Sequence, residues 1–443
     1  MSVSEALVRS AQRAQSLHSG AGTLALSALP PLAVYVHLPW CLRKCPYCDF
    51  NSHEVRGDQG AAHALPEQRY VQALRADLEV SLPLVWGRRV SSVFIGGGTP
   101  SLFSPEAIGQ ILSDLRALLP IESNAEITLE ANPGTFETQR FHAFAQAGVT
   151  RLSVGVQSFD DAALERLGRV HDGQQARRAL QEAADAFESF NIDLMYALPG
   201  QDLPALRADL RTALSFSPPH LSVYHLTVEP NTFFAKHPPV LPDDDLAYAM
   251  LDEIAQATQG AGLKRYEVSA FAKAGRACAH NLNYWRFGDY LGLGAGAHGK
   301  LSFAHRIVRQ VRYRDPAAYM QQALQGQAVS QESEVARAEL PFEFMLNALR
   351  LREGFSLNLF SQRTGLPPSA LEPGLTQALE RGWLHWVDGQ GVALPAHAPL
   401  GADAVVAPTT RGFDFLSDVQ ALFLPDSHMQ KGAPVTVLRR AES

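Results

Sequence analysis

The sequence predicts an α/β protein: an open, partial barrel of six strand–helix repeats, followed by a small α+β domain of winged-helix type. Two observations support this prediction. From residue 33 onward, short apolar runs alternate with longer amphipathic segments, and after about residue 330 this alternation gives way to helices and a hairpin. Strands that alternate with helices favour parallel pairing through right-handed crossovers. Six strands are too few for a closed eight-stranded βα barrel, so we expect the barrel to remain open.

The six predicted strands are short and apolar, and turn residues bound them. In chain order they read AVYVH, SSVFIGGG, EITLEANP, RLSVGVQS, NIDLMYALPG and HLSVYHLTVEP. Amphipathic segments predict helices over 105–119, 136–146, 174–188, 203–215 and 243–259. Ser104 and Pro105 form an N-cap followed by proline at the first helical position, which predicts where the first of these helices begins.

Polar or glycine residues stand at the carboxyl end of each apolar run. They are His37, Gly96–Gly98, Glu130, Gln157, Asp193 and Tyr224. In a βα barrel the carboxyl ends of the strands meet at one face, where the chemistry takes place. A doubly wound sheet would also collect its ligands at its strand ends. We therefore expect the functional site at this face of the sheet.

The C-terminal part has a different pattern. Three segments predict helices, and a fourth predicts a hairpin with an Asp-Gly turn: LPFEFMLNALRLREGF, LNLFSQRTG, SALEPGLTQALERG and WLHWVDGQGVALP. Acidic residues outnumber arginines between 353 and 424, so we expect a structural or partner-binding domain rather than one that reads DNA. The predicted organisation is a poorly ordered tail (1–30), the barrel (31–330), the winged-helix-like domain (331–424) and a disordered tail (425–443).

Composition excludes several classes of protein. The formal net charge of −7 leaves no electrostatic footprint for nucleic acid. Four cysteines among 443 residues do not make a disulfide scaffold. The chain has no apolar stretch long enough for a transmembrane helix. We expect a cytoplasmic protein, for which peripheral membrane contact stays open.

Cys41, Cys45 and Cys48 lie in one short loop directly after the first predicted strand. Three interpretations compete. A disulfide would leave one thiol unpaired. A zinc site would need a fourth ligand, for which His37 or His53 is available. An iron–sulfur cubane usually takes four thiolates, so three would leave one iron open to a small chelating molecule.

The spacing Cys41-x3-Cys45-x2-Cys48, with Tyr47 before the third cysteine, resembles the signature of the radical S-adenosylmethionine superfamily. This resemblance implies a 4Fe–4S cluster on the three cysteines, with S-adenosylmethionine on the open iron. It also implies residues that bind S-adenosylmethionine along the strand ends. These are Tyr35, Tyr47, Gly97, Gly98, Thr99, Glu130, Gln157, Arg169 and Asp193.

Other motifs resemble the branch that contains oxygen-independent coproporphyrinogen III dehydrogenase and its sister group of haem chaperones. They are YVHLPWCLRKCPYCDFNSH, LTVEPNTFF, HNLNYWRFGDYLGLGAGAHG and TTRGFDFLSDVQALFL. The dehydrogenase has a further cysteine where this chain has Phe50, whereas the sister group has phenylalanine there. The resemblance therefore implies a haem chaperone that passes haem to respiratory proteins and forms cluster-linked homodimers. A coproporphyrinogen III dehydrogenase and a zinc-stabilised binding module are the alternatives.

The segment CAHNLNYW lies in the region 260–300, where we expect haem to bind. If the segment is extended, Cys278 and His280 point to the same face, and imidazole and thiolate both serve as axial haem ligands. Tyr284 and Trp285 offer flat surfaces for a porphyrin. The residues alone favour a core motif, with His280 hydrogen bonded inside. The resemblance favours His280 as the ligand, with Cys278 and His298 as alternatives.

Overall fold

The structure, a computed structural model, describes residues 24–55, 65–134, 140–388, 391–394 and 404–425. Seventeen strands lie within these ranges: β1 (Leu32–Leu38), β2 (Trp40–Cys41), β3 (His53–Glu54), β4 (Val90–Gly97), β5 (Ile121–Ala131), β6 (Arg151–Gln157), β7 (Ser189–Tyr196), β8 (His220–His225), β9 (Lys264–Arg265), β10 (Ala270–Ala272), β11 (Asp289–Leu293), β12 (His298–Phe303), β13 (Arg306–Arg312), β14 (Val329–Glu334), β15 (Phe355–Ser356), β16 (Leu384–Val387) and β17 (Val405–Pro408).

Seven strands form a parallel sheet in the order β11-β1-β4-β5-β6-β7-β8. The six predicted strands correspond to β1 and β4 to β8, so the predicted open barrel of parallel strands is confirmed. The seventh, β11, was not predicted. Antiparallel strands extend the sheet at both edges, with β12, β13 and β14 beyond β11, and β10 and β9 beyond β8.

The α-helices of the described residues fall mainly between the strands. They are α1 (Glu67–Val85), α2 (Pro105–Leu118), α3 (Phe141–Ala147), α4 (Asp161–Arg166), α5 (Gly173–Ala186), α6 (Leu203–Ser215), α7 (Phe233–Lys236), α8 (Asp244–Gly260), α9 (Ala279–Trp285), α10 (Pro316–Ala323), α11 (Leu340–Ala348), α12 (Leu357–Thr364), α13 (Gly374–Glu380), α14 (Thr410–Asp414) and α15 (Leu416–Ala421). The Ser104 hydroxyl accepts the Ala107 amide at 3.2 Å, which confirms the predicted N-cap. The helix predicted over 136–146 is described only from residue 140, as α3.

The two faces of the parallel strands differ in chemistry. Alternate residues of β1, Val34 and Val36, are fully buried in the main apolar core, together with side chains from the surrounding helices. The intervening Tyr35 and His37 line a cavity instead. The apolar face therefore supplies the stability of the barrel, and the polar face is left for the functional site.

A second apolar core belongs to the C-terminal part of the chain. It is built around Leu340, Phe344, Phe360 and Val406, from α11, α12 and β17. A three-stranded sheet in the order β15-β17-β16 lies beside these helices. The predicted hairpin is present in its described residues, because the Leu394 amide donates to the Trp386 carbonyl at 2.8 Å. Gly389, in the predicted turn, lies outside the described residues.

The predicted N-terminal tail differs from the structure at residues 24–30. Leu24 and Leu26 are each 8% exposed and belong to the second core. Their amides donate to the carbonyls of His305 and Ala304 at 3.3 and 3.0 Å, beside β13. Apolar side chains and paired amides together hold this segment in place, so the tail prediction is wrong for residues 24–30. Residues 1–23, and the predicted disordered tail beyond residue 425, lie outside the described residues.

None of the described helices has both the length and the apolar character needed to cross a bilayer.

Candidate functional site

The three cysteines lie in a loop that two short strands close at its base. Trp40–Cys41 pairs in parallel with His53–Glu54. Inside the loop, the Cys48 amide donates to the Cys45 carbonyl at 3.1 Å. The Lys44 ammonium donates to the Phe50 carbonyl at 3.1 Å. The loop therefore has a defined conformation, and it follows β1 directly at the carboxyl end of the barrel, as predicted.

The three thiols are free and half-buried. The Thr99 hydroxyl donates to the Cys41 sulfur at 3.5 Å, and the Arg169 guanidinium donates to the Cys45 sulfur at 3.6 Å. Burial raises the pKa of the Cys41 thiol to about 11. The protonated thiol is therefore the favoured form of Cys41, and binding of a metal there would release its proton.

The zinc alternative gains no support from the surrounding histidines. Both ring nitrogens of His37 are engaged, with the Tyr35 hydroxyl at 2.9 Å and the Asn51 carbonyl at 2.9 Å. Among the described residues, no three His, Cys, Asp or Glu side chains come close enough to share one metal ion. A cubane differs from a single ion because each thiolate binds a different iron. The donor set therefore fits a cluster better than a mononuclear site.

Arg169 links the cysteine loop to the strand ends. One terminal nitrogen, Nη2, donates to the Asn132 side-chain oxygen and to the Gly155 carbonyl, both at 2.7 Å. Its Nε is buried and has no hydrogen-bond partner among the described residues. The guanidinium is thus held beside Cys45 with one donor unused, which suits recognition of an anionic group.

Two carboxylates lie behind the glycine-rich end of β4. The Glu130 carboxylate accepts the Gly97 amide at 3.0 Å. The Asp193 carboxylate accepts hydrogen bonds from Ser153 at 3.0 Å and from Asn191 at 2.8 Å. Burial, and then the charge of Asp193, raises the pKa of Glu130 to about 7. Burial also raises the pKa of Asp193. Two acids poised in this way are ready acceptors for ligand hydroxyls.

The glycines at the end of β4 allow a close approach of backbone to backbone. A Cβ atom at Gly98 would lie 2.6 Å from the Trp40 carbonyl oxygen. Gly97 has φ of +121°, a conformation that disfavours other residues. Gln157, at the end of β6, also has a positive φ of 70°. Strained backbone of this kind often marks a functional site.

A cavity of about 410 Å³ opens at this end of the barrel, a volume within the range of small-molecule sites. It is lined by Tyr35, His37, Asp49, Phe50, Asn51, Gly97, Glu130, Tyr284, Tyr290, Gly296, His298 and Arg314. The structure thus brings together the cysteine loop and the predicted residues of three strand ends. Tyr47 lies outside this lining, with its ring 6.4 Å from that of Phe234.

The predicted haem ligand His280 lies inside the protein. It is 1% exposed, and its ring stacks on Phe94 with centroids 5.0 Å apart. Its Nδ1 lies 3.1 Å from the Ser92 hydroxyl, while Nε2 is buried and has no partner among the described residues. Burial, and then the charge of Arg151, lowers the pKa of His280 to about 3. The imidazole is therefore neutral, and an iron reaches Nε2 only if the surrounding side chains move.

The extended conformation assumed for CAHNLNYW is wrong, because residues 279–285 form α9. Cys278 is fully buried at the start of this helix, and its thiol donates to Glu126 at 3.3 Å. The Trp285 ring lies under the Arg350 guanidinium at 4.2 Å. Tyr284 alone of these aromatics reaches the cavity lining. The motif thus packs largely as a core element, the alternative that the residues themselves allowed.

Asn132 and Glu126 hold the site together but were not predicted. The Asn132 amide donates to the Thr99 hydroxyl at 2.9 Å while its oxygen accepts from Arg169. The Glu126 carboxylate accepts the amides of Ala279 and His280 at 3.1 and 3.2 Å and so caps α9. Glu126 lies on β5 four residues before Glu130, and Asn132 follows the strand two residues after Glu130. All three positions agree with the alternation of side chains along a strand, and that periodicity is the signal that could have identified them.

Comparison with known proteins agrees with the predicted resemblance. Residues 35–213 match the radical SAM superfamily, and residues 335–398 match the HemN C-terminal domain. The chain is 48% identical over 358 residues to the heme chaperone HemW of Escherichia coli K12, which covers 80% of this chain and 92% of that protein. It is 46% identical over 362 residues to the heme chaperone HemW of Haemophilus influenzae, with the same coverage of 80% and 92%.

A solved structure shows the same fold. Coproporphyrinogen III oxidase (HemN) from Escherichia coli, a radical SAM enzyme, superimposes with a TM-score of 0.72 over 89% of this chain and 90% of that one. The two sequences are 22% identical in this alignment. The similarity confirms the predicted radical SAM fold and carries no conclusion about the reaction.

Proposed function

Because this chain belongs to the radical SAM superfamily and, within it, to the HemW family of heme chaperones, we propose that it binds haem and transfers it to haem-requiring acceptor proteins. The observation that carries the proposal is the 48% identity to a heme chaperone over 92% of that protein's length. The family resemblance noted in the sequence suggests respiratory proteins as acceptors and a homodimeric assembly.

Membership of the superfamily implies a 4Fe–4S cluster and S-adenosylmethionine. We propose that Cys41, Cys45 and Cys48 hold the cluster, because they are free thiols in one structured loop beside the cavity. Cys278 is unsuited as a fourth ligand, since it is fully buried and its thiol donates to Glu126, which lies four residues before Glu130 on β5. When bound, such a cluster offers one iron without a protein ligand to the amino and carboxylate groups of S-adenosylmethionine.

The remaining predicted residues would hold the other parts of S-adenosylmethionine. Gly97 lines the cavity, so its backbone is placed to face the methionine amino group, and Gly98 lets the backbone at Trp40 pack closely behind it. Glu130 is placed to accept ribose hydroxyls, and Arg169, whose guanidinium lies 3.6 Å from the Cys45 sulfur, to bind the carboxylate. Tyr35, Tyr47, Thr99, Gln157 and Asp193 complete this proposed set.

Phe50 favours carriage of haem over decarboxylation of coproporphyrinogen III. The side chain is 64% exposed and lines the cavity. A phenyl ring can neither accept nor donate a proton or a hydrogen atom in the way that a thiol does. We therefore propose that this chain binds a tetrapyrrole without converting coproporphyrinogen III.

The test uses anaerobically reconstituted full-length protein. Hemin is titrated into the protein, excess hemin is removed, and the loaded protein is mixed with an apo-acceptor such as apomyoglobin, whose own Soret band reports transfer. A parallel incubation with coproporphyrinogen III, reductant and S-adenosylmethionine is analysed for porphyrins. The expected outcome is stoichiometric hemin binding, transfer to the acceptor and no new porphyrin. Absence of hemin binding, or formation of protoporphyrinogen at an enzymatic rate, would show the proposal to be wrong.

A further inference from the structure

One of the histidines that line the cavity near the cysteine loop has an imidazole without a hydrogen-bond partner among the described residues. Two histidines line it, His37 and His298. Both ring nitrogens of His37 are hydrogen bonded. Among the described residues, by contrast, no group hydrogen-bonds to the imidazole of His298, which is exposed at the start of β12. Of the two, His298 therefore has a nitrogen free to bind a metal.

The charges around His298 keep its imidazole in the state that can ligate iron. Burial first, and then the positive charges of Arg309 and Arg314, lower the pKa of His298. A lowered pKa favours the neutral imidazole, whose lone pair can bind a metal. Arg309 is already paired with Glu343 and donates to the Tyr290 hydroxyl at 3.1 Å. No ion pair of Arg314 is found in the described part of the chain, so its guanidinium is free for an anionic group of a ligand.

The same cavity offers flat apolar surface. Tyr284 and Tyr290 contact each other edge to face, with ring centroids 4.5 Å apart, and both line the cavity. Phe50, from the cysteine loop, contributes a third ring and remains 64% exposed. An exposed phenylalanine beside two cavity tyrosines gives an apolar surface that a planar ligand would cover.

We propose that haem binds in the part of this cavity lined by His298, with His298 as an axial ligand, Phe50 and Tyr290 against the porphyrin, and Arg314 beside a propionate. The part lined by Tyr35, Gly97 and Glu130 is left to S-adenosylmethionine. This assignment rests on the proposed function and deepens it by naming the site. It differs from ligation by His280, whose ring is 1% exposed and stacked on Phe94. Around His298, a ring nitrogen without a partner, the flat rings of Phe50 and Tyr290, and the guanidinium of Arg314 occur together.

The cysteine loop is part of this site. The Asn51 side chain donates to the Ala295 carbonyl at 3.0 Å and to the Arg314 carbonyl at 2.9 Å. It therefore ties the loop to both segments that supply the haem-binding groups. Phe50 precedes Asn51 and shares its position beside the cavity.

The test compares three alanine variants of the full-length, cluster-loaded protein by anaerobic hemin titration. His298→Ala is expected to lower hemin affinity at least tenfold and to shift the Soret band. Free imidazole is expected to restore the wild-type spectrum of this variant, because it supplies the missing ligand. His280→Ala is expected to keep the wild-type Soret maximum, and His237→Ala, at an exposed position outside the cavity lining, serves as the matched control. Cluster absorbance and S-adenosylmethionine binding verify that each variant is folded.

The outcomes separate this assignment from the proposed function. If wild-type protein binds hemin and His298→Ala has the same affinity and spectrum, the assignment is overturned while the chaperone function stands. If His280→Ala loses the spectrum and imidazole has no effect on His298→Ala, the ligand is His280 and the assignment is again overturned. If wild-type protein binds no hemin, the proposed function itself fails, and the assignment fails with it.

Discussion

Replacing Glu130 with glutamine is expected to stabilise the ligand-free protein and to weaken its binding of S-adenosylmethionine. The Glu130 carboxylate is half-buried, and burial, followed by the charge of Asp193, raises its pKa from 4.5 to about 7. Glutamine keeps an oxygen that can accept the Gly97 amide, but it carries no charge to be desolvated. The substitution therefore removes an electrostatic penalty without removing the hydrogen bond.

The magnitude follows from the pKa of Glu130. An acid whose pKa is raised by folding binds its proton more tightly in the folded state. Its stabilising contribution is therefore present below pH 4.5 and is lost as the pH rises to about 7. This loss corresponds to about 2 kcal/mol at pH 6 and about 3 kcal/mol at pH 8. Both figures are upper values, because water in the cavity screens part of the penalty.

The assay is urea unfolding of wild-type protein and Glu130→Gln at pH 6 and pH 8, without S-adenosylmethionine. The variant is expected to be the more stable protein, by a margin that grows with pH. Glu165→Gln, at an exposed position on α4, is the control and should leave the free energy of unfolding unchanged. A variant that is no more stable than wild type at pH 8, or a margin independent of pH, would refute the reasoning about this carboxylate.

The affinity of Glu130→Gln for S-adenosylmethionine is measured separately. A hydrogen bond to a charged acceptor contributes about 1.5–3 kcal/mol, which corresponds to a loss of affinity of roughly ten- to a hundredfold. Isothermal titration with S-adenosylmethionine at pH 8 should show this loss for Glu130→Gln. Unchanged affinity would mean that Glu130 does not contact the ligand.

Three further predictions test other parts of the structure. Cys41→Ala should abolish the iron–sulfur absorbance after anaerobic reconstitution, whereas Cys278→Ala should retain it; loss in both variants would contradict the three-ligand assignment. Arg169→Lys should keep the cluster but lower S-adenosylmethionine affinity at least tenfold, since a lysine cannot reproduce the guanidinium's several directed donors; equal affinity in a titration would argue against this contact. Glu126→Ala should lower the free energy of unfolding by about 3–5 kcal/mol because it leaves the buried Arg151 without its partner carboxylate, and a loss below 1 kcal/mol in urea unfolding would show that another group compensates the charge.

The barrel strands were predictable because their pattern is local. Each combines an apolar run with a polar residue at its carboxyl end, and both features are visible within ten residues. The strand β11 is also apolar, but Gly292 and Gly294 lie beside Leu291 and Leu293, and glycine is depleted in strands. Its identity as a strand depends on pairing with β1, from Leu32 to Val36, which is far away in the sequence. Long-range pairing of this kind leaves no local signal.

The conformation at His280 was not predictable for a related reason. The helix α9 has only seven residues, and Cys278 at its N-cap position makes no side-chain capping bond. The cap comes instead from Glu126 on β5, more than 150 residues earlier. Short helices depend on tertiary contacts rather than on intrinsic propensity. The residues of the motif and their possible burial could be identified from the sequence, whereas their helical conformation could not.

The position of β1 in the middle of the sheet bears on how the protein is made. The strand is flanked by β4, which follows soon after it, and by β11, which is synthesised roughly 250 residues later. At a ribosomal rate of about 5–20 residues per second, one edge of β1 stays unpaired for roughly 10–50 s. The anchor of Asn51 on Ala295 forms only after the same delay. The cysteine loop therefore gains this anchor only after translation has passed Ala295, and until then the nascent barrel presents an apolar strand with one unpaired edge.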